Sequence, residues 1–496
     1  MTQHAPVFIV LLPLTASLLC MLLSRISKNL GSWVVMASIV GAFASALTVL
    51  HQVLTGGAAV HYYMGGWEPP IGIEFVIDPL NSALAVLVTF ISMMVSLYSR
   101  PFVKEEDWVH VGGYYTLFGL LTVGLSGMII TGDVFNLYVY LEIMSLSGYG
   151  LIALGGKKSM LAAFRYLLIG TIGASLYLLG VAYMYALTGT LNMADMAARV
   201  ADHLYSPLFA MAVACFVIGF GIKMALFPLH GWQPDAYTYA HPGAAAFIAG
   251  VMSKAPAYAV IRFLYYIFQV DNPVVEAALT VLGILGVAGI LLGSIMALAQ
   301  FDFRRMLAYS SVAQIGYIAI GLAMGNMYGF IGAVLHIINH AFMKCALFLV
   351  IGGIGYRFGE VNLYRLGGMN KKMAISSITV TLAALSMIGL PPTAGFFSKW
   401  YLLLGAYTGA QYFYIAVLVI SSLLNAIYFF RILEQMFIQR EASLTEVHPH
   451  KGLLGLPVEM VIPIACMGVG IIVLGFYSVD IVTYILKLGL PEVFLR

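Results

Sequence analysis

Four lysines, Lys223, Lys254, Lys344 and Lys399, stand inside long apolar runs of a 496-residue chain. The other twenty of its 24 Lys and Arg residues fall in or beside short polar loops, and none of the four is Arg. An ammonium at bilayer depth costs at least a few kcal/mol. A buried Lys can shed its proton, whereas Arg cannot. Glu142, within NLYVYLEIMSLSGYG, is the one carboxylate expected at comparable depth. Four amines facing one carboxylate must be neutral part of the time, which is what a proton relay needs. Two unit charges about 8 Å apart repel by ~2 kcal/mol at an effective dielectric near 20, so loading one site would discharge its neighbour.

Spacing adds to this reading. His336, His340 and Lys344 recur at i, i+4, i+8 and so share one helix face, with Asn339 beside them. Three titratable groups in one stripe suit proton transfer. A metal site is the rival reading, but the stripe has no carboxylate or thiol except Cys345 on another face, so none is expected. Pro228 follows Lys223 by five residues, and Pro391-Pro392 precede Lys399. Proline cannot continue a regular helix without losing a hydrogen bond, so a helix break is expected beside each lysine. Lys254 lies too deep in its segment to reach the interface. Asp133, His230 and Asp235 are candidates for channel mouths. The plainer alternatives are a hydrogen-bonded structural Glu142, a Lys223 that snorkels to the surface, and a Lys254 locked in an ion pair. One deep carboxylate makes a poor sodium cage. No phosphate loop, haem motif or cluster motif occurs, so no cofactor is expected, and any driving energy must come from partners.

The elements that must position these groups are membrane helices. The chain is 61% hydrophobic and 9% charged, with mean hydropathy +0.96. That excludes a soluble enzyme or a nucleic-acid binder and predicts an all-α polytopic membrane protein. Apolar runs long enough to span fall near 6–23, 32–54, 79–98, 111–131, 134–154, 162–187, 207–229, 242–268, 274–299, 306–324, 327–354, 374–403, 411–433 and 458–486, fourteen in all. The first lacks a basic leader and reads as a retained helix. Loops after odd-numbered helices carry 16 basic residues, from Arg25 to Lys451; the opposite side carries only Arg199, Arg262, Lys487 and Arg496. By the positive-inside rule both termini are expected outside the cytoplasm of a prokaryotic cell membrane. Segment 61–78 alternates around Pro69-Pro70 and predicts a β-hairpin. Segment 190–205 predicts an interfacial amphipathic helix, and 435–457 a cytoplasmic loop. The uncharged loop 230–241 is expected to hold the helix that resumes after Pro228.

In this order the motifs resemble the antiporter-like subunits shared by Mrp-type multisubunit cation/proton antiporters, respiratory complex I and membrane-bound hydrogenases. The resemblance rests on GDVFNLYVYLEIMSLSGY, KMALFPLHGWQPDAYTYAHPGAAAFIAGVMSK, FRRMLAYSSVAQIGY, LHIINHAFMKCALFL and GLPPTAGFFSKW, and covers nearly the whole chain. GGWEPPIGIEFVIDPLN and TGTLNMADMA resemble the D-type member of the Mrp antiporters. The resemblance implies inverted five-helix repeats with broken helices 7 and 12. The expected units are 1–110 (helices 1–3 with the hairpin), 111–270 (first repeat), 271–435 (second repeat) and 436–496 (cytoplasmic loop and helix 14). It implies Glu142 and Lys223 as a charge pair, Lys254 as a relay, His340 and Lys344 as a bridge between the halves, and Lys399 as the exit. The expected spans end at helix 14, so the long lateral helix that the largest members carry is not expected. The first expectation is a proton-translocating subunit of a Na+/H+ antiporter, with other subunits, protons and sodium as partners. The alternative is the corresponding subunit of a complex I-like NADH-quinone oxidoreductase or membrane-bound hydrogenase. A stand-alone solute symporter fits poorly, because no polar substrate pocket is visible.

Overall fold

The computed structural model describes residues 2–268, 270–359, 362–439, 446–448 and 455–495. Arg440, Lys451, Arg496 and most of the 435–457 loop lie outside the described residues. The helices are, in order, α1 Ala5–Ile26, α2 Leu30–Gly56, α3 Pro79–Val103, α4 Trp108–Ile130, α5 Val134–Ala153, α6 Lys157–Thr188, α7 Met193–Val200, α8 Pro207–Met224, α9 Gln233–Tyr239, α10 Pro242–Phe247 and α11 Lys254–Ile261. They continue with α12 Pro273–Leu298, α13 Phe303–Ala323, α14 Met327–Phe358, α15 Met369–Lys372, α16 Ala374–Ile388, α17 Ala394–Thr408, α18 Tyr412–Phe437, α19 Val458–Phe476 and α20 Ser478–Ile481.

The protein is an all-α polytopic membrane protein. Among the described residues, twelve helical stretches are long and apolar enough to cross a bilayer. The two other expected segments are α5 and the pair α16/α17. The helices start where side chains satisfy their free N–H groups: Asp78 caps α3, Asp107 α4, Asp133 α5, Asn272 α12, Asp302 α13 and Asn326 α14. Close packing depends on small residues. A Cβ on Gly316 of α13 would lie 2.5 Å from the Gly286 carbonyl oxygen of α12, so these two helices meet backbone to backbone.

The expected hairpin is present as β1 Val60–Tyr63 and β2 Glu74–Ile77, antiparallel with Val60 opposite Ile77 and Tyr63 opposite Glu74. It defines one face of the molecule. His4 Nδ1 lies 3.1 Å from the Tyr62 hydroxyl, and Tyr266 donates its hydroxyl to the Gly489 carbonyl, so both ends of the described chain lie on this hairpin face. The expected helix in 190–205 is α7, and its Asn192 cap binds the hairpin through Glu74. The opposite, basic face carries Arg165 and Arg305 on Asp235, and Arg357 on Glu446.

Two isolated antiparallel bridges mark matching points of the chain. Asp133, the cap of α5, pairs with Asn192; Asp302, the cap of α13, pairs with Asn362. Each pair brackets a 32-residue helix, α6 or α14. The first bridge lies on the hairpin face and the second on the basic face.

Arg262 lies near the end of the span Pro242–Ile267, in agreement with the expected segment 242–268, at the start of a π-helical stretch, Arg262–Ile267. Its Asp78 partner is 184 positions earlier in the chain.

Candidate functional site

The two broken helices position two of the lysines. Helix α8 stops where Ala225 takes a left-handed conformation (φ 61°). Its loose carbonyls find new donors: Leu226 N–H reaches Gly221 O at 2.8 Å, and the Trp232 indole N–H reaches Ile222 O at 2.9 Å. The helix resumes as α9 at Gln233. Lys223 is in the last turn before this break. Its Nζ donates to Ser145 Oγ at 2.6 Å and to Tyr149 Oη at 3.4 Å, both on α5. Helix α16 stops at Gly389, and α17 begins at Ala394. Lys399 Nζ donates to the last carbonyls of α16, at Met387 and Ile388, both 2.9 Å away, and to Ser422 Oγ at 3.2 Å. A cation at a helix C-terminus is favoured by the carbonyl ends and the helix dipole. The two lysines therefore sit on opposite sides of their breaks: Lys223 precedes its break, and Lys399 follows its own.

Lys254 follows a π-helical stretch, Ile248–Met252. A π turn takes carbonyls off the regular ladder, and Lys254 Nζ takes up the one at Ala249. Lys344 Nζ donates to Leu307 O at 2.8 Å and to Ser310 Oγ. His336 lies between Ser398 Oγ on Nδ1 and Gln314 Oε1 on Nε2, both at 3.0 Å. His340 stacks on His336 with centroids 5.8 Å apart, and neither of its ring nitrogens has a hydrogen-bond partner among the described residues. None of the four lysines is more than 6% exposed. Among the described residues, every one of these ammonium groups is bonded to carbonyl or hydroxyl oxygens, and none to a carboxylate.

The neutral partners were missed from sequence, although a signal was present. Ser310, Gln314 and Tyr317 fall at i, i+4, i+7 in FRRMLAYSSVAQIGY, which is one face of α13. That face meets the α14 stripe: Ser310 holds Lys344, Gln314 holds His336, and Tyr317 packs against the His336 ring at 5.3 Å and under Lys399 Nζ at 5.0 Å. Lys254, His340 and Lys344 are close enough for their charges to act on one another.

Glu142 is not deeply buried. It is half-buried on the flank of α5, and it forms no direct ion pair with Lys223 among the described residues. The two are close enough for its charge to be felt at Lys223. Ser145, one turn on along α5, takes the lysine instead. Among the described residues, the buried carboxylates are instead Glu74 and Asp133, both at the hairpin face.

The three mouth candidates occupy opposite faces. Asp133 accepts the Asn136 N–H at 2.6 Å as the cap of α5, at the hairpin face. Burial pushes its carboxyl above the usual aspartate range, against the pull of the Asn136 and Phe135 N–H groups. His230 is half-buried on the basic face and stacks on Phe227. Asp235 is clamped between Arg165 at 2.7 Å and Arg305 at 3.3 Å, tying α9 to α6 and α13. Bridges of this exposure contribute about 1 kcal/mol or less. Asp235→Asn is accordingly expected to lower stability by no more than about 1 kcal/mol per bridge; a loss of several kcal/mol in unfolding of the purified protein would show a stronger tie between α9, α6 and α13.

A family model described as "NADH:quinone oxidoreductase/Mrp antiporter, TM" matches residues 131–425, which contain all four lysines, both breaks and Glu142. The chain belongs to this family. Members of the NADH:quinone oxidoreductase/Mrp antiporter family resemble it along nearly its full length. It is 46% identical to NADH-quinone oxidoreductase subunit N of Desulforudis audaxviator over 99% of both chains. It is 30% identical to the D-type member of the Na(+)/H(+) antiporter of Alkalihalophilus pseudofirmus, covering 91% of this chain and 90% of that one. Among solved structures, a chain of the archaeal membrane-bound sulfane sulfur reductase superposes with a TM-score of 0.90 at 30% identity, covering 98% of this chain and 97% of that one. A chain of the Mrp complex from Dietzia superposes with a TM-score of 0.85 at 25% identity, over 97% and 96%. The protein is therefore a membrane subunit of the complex I/Mrp superfamily, whose relatives work as parts of multisubunit complexes.

Proposed function

We propose that the chain moves protons through the row Lys223, Lys254, His340, Lys344, His336 and Lys399, as a membrane subunit of a redox-driven complex of the NADH-quinone oxidoreductase kind. The observation that carries the relay is the chemistry of the four ammonium sites. Among the described residues, each is built from carbonyl and hydroxyl oxygens alone. A paired carboxylate would lock a buried amine in its charged form; neutral oxygens hold the ammonium yet let the proton go. The 46% likeness to an NADH-quinone oxidoreductase subunit over the whole chain favours redox coupling over the sodium antiport that motif resemblance suggests first.

The same proposal takes 111–270 and 271–435 as inverted repeats. The matched Asp–Asn bridges on opposite faces and the two 32-residue helices support that division. It also takes the hairpin face, with both chain ends, as the outer face, in keeping with the excess of Lys and Arg on the other side. Glu142, half-exposed on the flank of α5, fits a position against a neighbouring subunit, from which its charge would tune Lys223.

The test uses the complex purified through this chain and sealed into phospholipid vesicles. Electron transfer from the co-purifying donor arm to quinone is expected to acidify one compartment. Proton movement that follows only a sodium gradient, with no electron-transfer subunit in the preparation, would instead identify an antiporter.

A further inference from the structure

The helix that carries Lys254 ends in an arginine that the relay does not use. Lys254, Tyr258, Arg262 and Tyr266 recur every four residues and form one stripe toward the hairpin face. Arg262 is clamped on every side. Its guanidinium lies 5.2 Å from the Tyr258 ring and 4.4 Å from the Tyr266 ring. Its Nε donates to Tyr258 Oη at 2.8 Å, and its Nη2 donates to Asp78 Oδ2. Asp78 is itself fixed: its Oδ1 accepts the Asn81 N–H at 2.9 Å as the cap of α3. Immediately beyond lies a cleft of about 200 Å³ lined by Glu74, Asn81, Met193, Ala197, Arg262 and Tyr266. Ala194, also on its wall, is exposed. The stripe thus leads from the buried Lys254 toward a surface cleft, and Arg262 stands between them.

We propose that Arg262, held by Asp78, is an electrostatic plug that seals Lys254 from the hairpin face and forces its proton sideways toward Lys344 and Lys399. The proposal rests on the relay reading above. Two properties make Arg suited to this task. Its guanidinium has five donors and no acceptor, so it cannot pass a proton along a hydrogen-bonded chain. Its charge is permanent and repels an approaching proton, the device by which pores exclude cations. Arg262 is eight residues beyond Lys254, about 12 Å along the helix. At that distance removing one unit of positive charge favours a proton about tenfold at an effective dielectric near 20. In the parent protein Asp78 offsets much of the guanidinium's field, and the donor-only guanidinium itself blocks transfer. Without the plug, a relay driven by charge repulsion would lose protons through its first half.

The test separates this role from a merely structural ion pair, because the two partners have opposite signs. The purified complex is placed in phospholipid vesicles with a trapped pH dye, and a valinomycin–potassium potential drives passive proton leak. Arg262→Gln removes the barrier and leaves an unpaired carboxylate that attracts protons; leak is expected to rise about tenfold. Asp78→Asn leaves the arginine unneutralised and is expected to leak no more than the parent. Arg262→Lys keeps the charge and is expected to stay nearly tight. If Arg262→Gln does not assemble, the double variant Asp78→Asn/Arg262→Gln carries no unpaired charge and takes its place, again with raised leak. Equal leak from Arg262→Gln and Asp78→Asn, or none from either Arg262→Gln or the double variant, overturns the plug. Adding Lys254→Ala to the leaking variant is expected to close the leak. A leak that survives this change bypasses Lys254 and overturns the plug as its seal; the relay reading stands or falls separately, on donor-driven flux in Lys223→Ala.

Discussion

Replacing Lys223 with alanine is expected to abolish proton transfer while the subunit still folds and assembles. Lys223 is fully buried in the last turn of α8, and its ammonium bridges to α5 through Ser145 and Tyr149. Proton-transfer groups contribute roughly 10²-fold or more to the steps they serve, so a loss of at least that size is expected in donor-driven flux. The structural cost is smaller. Ser145 keeps its own bond to Leu141 O at 2.6 Å, and the helix end is held independently by Leu226 N–H and the Trp232 indole. What goes is a pair of hydrogen bonds from a charged donor, each about 1.5–3 kcal/mol, offset by relief of the cost of burying an amine. Glu142→Ala is expected to lower flux too, through the charge it projects onto Lys223. The readouts are flux in vesicles and the elution profile of the complex. Parent-like flux in Lys223→Ala, with intact assembly, would remove Lys223 from the pathway.

Lys399→Arg isolates titratability from charge. The Lys399 ammonium caps α16 through the carbonyls of Met387 and Ile388, and on structure alone any cation could do this. Arginine would do it well, having more donors and a permanent charge. Room is not the obstacle, because a cavity of about 290 Å³ adjoins Lys399, walled by Gly389, Trp400 and Ser422 among others. If Lys399 must release its proton, an arginine in its place blocks the last step, and flux is expected to fall at least 10²-fold while stability is kept or improved. Full activity in Lys399→Arg would make Lys399 a helix cap and nothing more. A fall in both flux and thermal stability would point to misfit, and Lys399→Met, which removes the charge, would then show whether the cap matters to the fold.

Much of the architecture was legible because bilayer physics is strict. Every backbone polar group in hydrocarbon must be satisfied within its own segment, so hydrophobic run length alone marks the helices. The breaks were legible because proline cannot be accommodated without cost. The i, i+4, i+8 stripe of His336, His340 and Lys344 was legible because helical geometry puts it on one face whatever surrounds it. Inward and outward faces were not legible. In water, an apolar stripe points to the core; in a bilayer both the core and the lipid are apolar, so a helix such as α5 carries no such mark. That is why Glu142 was expected at depth and lies on the flank.

The sequence by itself determined the class, the helix breaks, the hairpin and the identity of the buried amines. Only the tertiary structure decided what those amines touch. Ser310 meets Lys344 across 34 positions, Ser145 meets Lys223 across 78, and Asp78 meets Arg262 across 184. Contacts this distant are set by how helices pack against one another, and packing between apolar surfaces leaves no periodic trace in the chain. The four lysines were therefore visible from the first reading as unpaired charge. That their partners are neutral oxygens, and that one arginine on the Lys254 helix lines the cleft at the hairpin face, depended on the fold.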